Sequence, residues 1–359
     1  MKVRDTYLAK AETLTDSQTK TIPIPRGLKI QSLRIKYNAT NGATSNTLAK
    51  LNGMVSKLEV VDGSDLLHSL SMREEQALNF FCNRCLSQQI LTAGAAAVVT
   101  EEAIINFGRF IGDRDFYLDT ARFSNPALKL THALTISATA GFATGTGALS
   151  VIARVIEDGA PPYRGFMLSK EAKSWTTAAS GDEPTLLPLD FPYAALMVGA
   201  LKTTILPDAI LTNLKLQVDA GRFIPFDLTG TDVLADNIER YGNARQNCRP
   251  LTDTAATWLS DLYYQGGAVA SRPGATSKLL ISSVTAEQVI CAMTTGGTAD
   301  GNQITVDGYA PHASFYLPFG DGVNPDDYLS PQGMAELKLI LTQGTVAAAG
   351  TVVAHQLRQ

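Results

Sequence analysis

The strongest constraint on this chain is that its second half repeats its first. Three blocks recur in one order, so the fold must contain two copies of one unit. IPIPRGLKI (22–30) resembles LPLDFPYAALMV (187–198); each opens apolar-Pro-apolar, adds a second proline and enters an apolar run. VSKLEVVDGSDLLHSLSMREEQALNFF (55–81) resembles LTNLKLQVDAGRFIPFDLTGTDVLADNIERY (211–241). Here Leu58 matches Leu214, Asp62-Gly63 matches Asp219-Ala220-Gly221, and Leu70-Ser71 matches Leu228-Thr229. FGRFIGDRDFYLDTARFSNPALKLTHALT (107–135) resembles FYLPFGDGVNPDDYLSPQGMAELKLILTQG (315–344), pairing Gly112-Asp113 with Gly320-Asp321 and Tyr117-Leu118 with Tyr328-Leu329. The halves close on ALSVIARVI and GTVVAHQL.

Within each half the local pattern is that of strands. Apolar and polar residues alternate over Lys29–Tyr37, Val55–Val61, Leu128–Ser137, Leu149–Ile156, Ile210–Val218, Leu279–Val284, Leu337–Thr342 and Thr351–Leu357, between Gly-, Asn-, Asp- and Thr-rich connections. Asp62-Gly63 is a hairpin dipeptide. The best helix is 71–86, with Ser71 as its cap and Glu74 as capping-box partner. The class is therefore all-β with short helices. The segment from the helix end to the Gly-Asp block spans 82–111 in the first half and 242–319 in the second, so the second copy carries an insertion rich in turn residues, SRPGATSK and TTGGTADGNQ among them. The expected organisation is an N-terminal arm (1–20), a first unit (21–160), a linker (161–185) that opens on Pro161-Pro162, and a second unit (186–359) with its loop insertion at about 242–310.

A duplicated β unit with a helix after its middle strands resembles the double jelly-roll major capsid proteins, the type found in adenovirus hexons and in tailless icosahedral phages with an internal membrane. The residues that carry the resemblance are IPIPRGLKI, the VVDGSDLLHSLS hairpin with its helix, and FYLPFGDGVNPDDYLSPQGMAELKLILT. It implies two tandem eight-stranded jelly-roll sandwiches, a structural coat protein rather than an enzyme, and three chains forming a pseudo-hexagonal capsomer that tiles a virion shell. The implied partners are further copies of the chain, penton or minor capsid proteins, and an internal lipid membrane touched through the N-terminal arm. On that arm Val3, Tyr7, Leu8, Ala11 and Leu14 share one side of a helical wheel beside Lys2, Arg4 and Lys10; the alternative for this segment is a frayed polar terminus.

Composition agrees with a subunit whose walls are covered. Charged residues are 18% of the chain, against about 25% in an ordinary soluble domain. The formal net charge of -4 gives no basic footprint for sequence-specific nucleic-acid binding. No apolar run reaches the roughly 20 residues of a spanning helix, and the first twenty residues lack the apolar core of a secretory signal, so synthesis in a host cytoplasm and residence in the virion are expected.

Chemistry is sparse. His68, His132, His312 and His355 form no HxH or HxxxH pair, and no nucleophile elbow or phosphate loop is present, so no catalytic residue and no cofactor is expected. Cys82 and Cys85 form one CxxC, with Cys248 and Cys291 isolated, and read as buried or half-buried thiols. Asp321, Asn324, Asp326 and Asp327 are the densest set of oxygen ligands and suit either a calcium ion or a turn; the first-half counterpart places Arg114 among Asp113, Asp115 and Asp119, which suits an internal salt bridge. The rival function is a carbohydrate-binding β-sandwich of a receptor-binding or fibre protein. It would use exposed aromatics, for which Trp258, Tyr263 and Tyr264 in the insertion, and Trp175, are the candidates; their other role is packing beneath a long loop.

Overall fold

The computed structural model describes residues 1–43, 46, 49–92, 94–135, 141–203, 205–248, 257–263, 270–272, 279–285, 288–293, 303–322, 324–344 and 346–359. Two jelly-roll barrels follow one another along the chain. The first uses β1 (Lys2–Thr13), β2 (Ser17–Pro23), β3 (Lys29–Thr40), β4 (Val55–Asp62), β5 (Asp65–Leu70), helix α1 (Met72–Asn83), β6 (Val98–Asn106), β7 (Pro126–Ala133) and β8 (Ala148–Asp158). The second uses β9 (Phe166–Thr176), β10 (Gly181–Leu186), β11 (Tyr193–Leu201), β12 (Leu211–Val218), β13 (Phe223–Thr229), helix α2 (Gly230–Tyr241), β14 (Ser314–Pro318), β15 (Leu337–Gln343) and β16 (Ala349–Arg358).

The sheets repeat one order. In the first barrel β1-β8-β3-β6 faces β2-β7-β4-β5; in the second β9-β16-β11-β14 faces β10-β15-β12-β13. Pairing within each four-stranded set is antiparallel. Inward positions alternate as the pleat requires along Leu33, Ile35 and Tyr37 of β3 and Leu196, Val198 and Ala200 of β11, and a register shift at the start of each strand brings in Ile30 and Tyr193; all are fully buried in the two cores. Each large side chain so placed contributes about 1.5–3 kcal/mol. The two barrels join where β5 pairs in parallel with β9 through Ser69 and Lys170, making one eight-stranded sheet.

Ladder registers give the repeat residue by residue. Leu33 pairs with Ala153 and Ile105, as Leu196 pairs with Ala354 and Leu317. Leu118 bridges Ile30 as Leu329 bridges Tyr193, so the Tyr-Leu match holds in space. The glycine match shifts. Gly108, not Gly112, is the counterpart of Gly320: a Cβ on Gly108 would lie 2.6 Å from the Asp113 side chain, and one on Gly320 would lie 2.3 Å from that of Asp327.

Three expectations are corrected. Residues 1–20 are not a helical arm, because β1 lies along β8 from Lys2 opposite Asp158 to Thr13 opposite Ala148. The wheel that grouped Val3, Tyr7, Leu8 and Leu14 dissolves at strand periodicity, and a bulge at Ala11 (φ 47°) turns the strand so that Leu14 enters the core, 1% exposed, donating its N–H to the Gly147 carbonyl at 2.8 Å. The linker is also shorter than 161–185: β9 and most of β10 lie inside it, and the connection between β8 and β9 spans 159–165. The polar run in β9 is carried by ion pairs, Lys170 with Asp190 at 2.5 Å and Lys173 with Glu183. Between α2 and β14 the described part of the insertion is built of strands. Ala244–Cys248, Gln303–Gly308 and Ala270–Arg272 form one sheet, and Thr257–Tyr263, Gln288–Met293 and Leu279–Thr285 another.

Helix α1 carries the expected capping box. The Ser71 hydroxyl accepts from the Glu74 N–H and the Glu74 carboxylate accepts from the Ser71 N–H at 2.7 Å. Arg84, in a left-handed conformation (φ 56°), stops the helix. No described helix is long and apolar enough to cross a membrane.

Candidate functional site: the seam between the barrels and its open counterparts

The seam begins where β9 enters beside the first barrel. Met167 donates its N–H to the Phe107 carbonyl at 2.9 Å, and the Phe166 ring packs edge-on to Phe107 and Phe123. Arg358 of β16 reaches across to Asp65 of β5 with two parallel hydrogen bonds of 2.9 and 2.6 Å. That fork geometry fixes direction as well as distance, and the Arg358 hydrogen bond holds the Asp65 carboxyl below its ordinary range. Above the shared sheet α1 wedges against the second barrel, with Phe81 stacked on Tyr316 and edge-on to Tyr241.

A second contact, at the foot of the insertion, is polar and buried. Asp261 accepts from Lys50 of the first barrel at 2.5 Å, from Gln246 at 2.8 Å and from Asn52 at 3.4 Å. Asn52 in turn donates its N–H to Glu101 at 3.1 Å, Gln76 donates to Glu101 at 3.0 Å, and His312 Nε2 lies 3.0 Å from Gln76 Oε1. Burial, with the Asp261 carboxylate nearby, pushes Glu101 up to about 7. Burial lowers His312 to about 4 against the pull of Asp261, leaving a neutral imidazole at pH 7. Asp261 itself is held far below the usual carboxylate range: burial opposes this, and the Lys50 charge with the hydrogen bonds from Lys50 and Gln246 outweighs it. Charge here is spent on joining the two barrels.

The residues singled out from sequence fall in different places. In the turn after β14 the Asn324 N–H donates to Asp321 at 2.7 Å, the Asn324 side chain caps the Asp326 N–H at 3.3 Å and donates to Asp327 at 3.4 Å. The oxygens of Asp321, Asn324 and Asp327 thus organise the turn, and among the described residues no group of three or more His, Cys, Asp or Glu is placed to hold a metal ion. In the first barrel the salt bridge forms, with Arg109 rather than Arg114 as the cation: it binds Asp113 at 2.7 Å and also Asp115. Tyr263 is not an exposed loop aromatic. It is 1% exposed, exchanges both backbone hydrogen bonds with Tyr309 and packs in the second core. Trp258 lies on a strand opposite Cys291, its side chain outside the described residues, as Tyr264 is altogether. Trp175 covers Gly350. The Cys82 thiol, pushed up to about 12 by burial and then by Glu75, stays protonated, which does not suit a thiolate ligand.

Apolar side chains are exposed at several sheet margins, β1 and β13 among them. On β1, at the margin of its sheet, Val3 is 45% and Tyr7 53% exposed, while Leu8 is half-buried. On β13, at the margin of the second barrel, Phe223 is 56%, Ile224 41% and Leu228 39% exposed. Sequence reasoning placed β13 only within the repeat block 211–241 and did not single out its exposed apolar residues.

The sequence matches no protein-family model and no curated protein. Solved structures match it over nearly its whole length. The STIV MCP crystal structure aligns with 99% of this chain and 96% of its own, at TM-score 0.59 and 12% identity. The major capsid protein P2 from bacteriophage PM2 aligns over 100% and 98%, at TM-score 0.54 and 12% identity. The quasi-atomic model of the PBCV-1 virus capsid aligns over 99% and 93%, at TM-score 0.60 and 10% identity. With two complete barrels, one shared sheet and end-to-end alignment, this chain has the double jelly-roll fold of those major capsid proteins.

Proposed function

We propose that the chain is the coat subunit of an icosahedral virion, made in the host cytoplasm and assembling as a trimer into pseudo-hexagonal capsomers. The observation that carries this reading is the side-by-side setting of two equivalent barrels through β5 and β9, over a length that solved major capsid proteins match from end to end. Two wedges per chain make six in a ring of three. The strands of the insertion rise from one end of the second barrel and form the outer relief. The opposite end, with exposed Phe110 and Ile111 on the turn after β6, faces inward toward an internal membrane. The shell's other partners are neighbouring capsomers and penton or minor proteins. Negative-stain microscopy of the purified protein tests the reading: class averages should have threefold symmetry within a hexagonal outline, and particles the size of one chain would sink it.

A further inference from the structure

A cleft of about 470 Å³ lies where the two barrels and the 159–165 connection meet, and its walls carry charge that the chain leaves unused. That volume is in the range of small-molecule sites. Arg122 comes from the turn ahead of β7, Tyr163 and Arg164 from the connection, Phe116 from the turn after β6, Asp326 from the turn after β14 and Leu357 from β16. The Arg122 guanidinium sits 3.9 Å from the centre of the Tyr163 ring, and that of Arg164 5.7 Å from the centre of Phe116. A ring face holds a guanidinium in place and leaves the N–H groups of its fork free to donate. Arg122 meets a carboxylate only at Asp119, 3.9 Å away and beyond hydrogen-bond range. Among the described residues the Arg164 guanidinium, the Tyr163 hydroxyl and the Asp326 carboxylate have no hydrogen-bond or ion-pair partner. Arg358, beside Leu357 on the same strand, differs, because its fork is taken by Asp65.

We infer that this cleft binds a phosphoethanolamine group, its phosphate oxygens on Arg122, Arg164 and the Tyr163 hydroxyl and its ammonium on Asp326, either as a free phosphodiester or as the headgroup of a lipid.

The charges are laid out for such a ligand. Both cations belong to the first barrel and the connection, and the carboxylate belongs to the second barrel. A bare phosphate would meet Asp326 and a bare ammonium the two arginines, whereas a zwitterion satisfies both. Arginine forks suit phosphate oxygens, since each N–H donates to a charged acceptor. Phe116 and Leu357, 1% and 2% exposed, supply an apolar floor for the carbon chain between the two charges. A ligand seated there touches both barrels at once. The lipid source has its own support in the turn that carries Phe116. Arg109 lies 5.0 Å from the centre of that ring and 5.7 Å from the centre of Phe110, so the cleft adjoins Phe110 and Ile111, which are 38% and 37% exposed. Acyl chains can follow these side chains out of the cleft. That source rests on the inward-facing end proposed above; the binding site does not.

Titration calorimetry of the full chain with glycerophosphoethanolamine, joined to sedimentation with vesicles, tests the site. The expected result is one molecule bound per chain, with affinity reduced roughly tenfold or more by Arg122→Ala or by Arg164→Ala. Both side chains are exposed, so each variant should keep the thermal midpoint of wild type. Asp326→Asn should erase the preference for glycerophosphoethanolamine over glycerophosphate. Phosphatidylcholine vesicles with and without phosphatidylethanolamine separate the sources. Sedimentation that needs phosphatidylethanolamine and is lost in both Arg164→Ala and Phe110→Ser assigns the lipid headgroup, while binding of the soluble compound without sedimentation assigns the free phosphodiester. A folded wild type that binds neither the soluble compound at millimolar concentration nor the vesicles would overturn the site, as would binding that both arginine variants leave unchanged. If that same protein is trimeric by light scattering, the coat reading stands without the site.

Discussion

Phe81 of α1 lies flat against Tyr316 of β14, ring centroids 4.7 Å apart and planes 8° from parallel, with Tyr241 edge-on to both. This stack joins the helix of one barrel to a strand of the other, so its loss acts on their union as well as on the core. Phe81→Ala should cost about 3–5 kcal/mol, measured by urea unfolding. It should also separate one unfolding transition into two as the barrels lose their coupling. A cost below about 1 kcal/mol would show that the stack is not what joins them.

Glu101 gives a pH signature with a definite sign. Its pKa rises on folding from an ordinary 4.5 to about 7, chiefly through burial and next through Asp261. Its contribution is therefore fully present below about pH 4.5 and is lost as pH rises through 7. His312 and His355, both lowered to about 4, chiefly by burial, act in the opposite sense: their contribution is present above about 6.5 and is lost as pH falls through 4. Comparing wild type with Glu101→Gln across pH 4.5–8 cancels most of the histidine effect. Relative to wild type, the variant should gain roughly 3 kcal/mol over that range, and a flat difference would contradict the assignment.

Much of the fold was legible in sequence. Leu337–Gln343 alternates buried and half-buried without a break, and β3, β4, β8 and β12 follow the same rule closely enough to be read directly. Of the strands that escaped, β1 and β9 are equivalent and escaped for related reasons. Among the residues of β1 only Ala9 is buried, so its pattern has no core face, and the middle of β9 is filled with the ion-paired lysines. The seam was not legible at all. Lys50 and Asp261, or Asp65 and Arg358, are joined by topology over some two hundred residues or more, and no local spacing announces them. The salt bridge was half legible: the carboxylates of Asp113 and Asp115 were recognised, but the turn at Gly108 brings Arg109 onto them in place of Arg114.

Gly350 pairs with Trp175 across β16 and β9, and a Cβ there would lie 2.6 Å from the indole ring. Gly350→Ala should displace the ring and cost about 1–3 kcal/mol, visible as a lower thermal midpoint with a red-shifted tryptophan emission. Unchanged emission would mean that the indole is not held there.

The turn from Asp321 to Asp327 is organised by its own hydrogen bonds. Incubation with a chelator, followed by thermal unfolding with and without added calcium, should give one midpoint. A midpoint that rises with calcium would place an ion in the turn.

The central claim is that this chain works as one third of a ring. Size-exclusion chromatography with multi-angle light scattering tests it most directly. The prediction is a single species of three times the 38.3 kDa chain mass, unchanged on dilution through the micromolar range. A species of one chain mass at every concentration would contradict it.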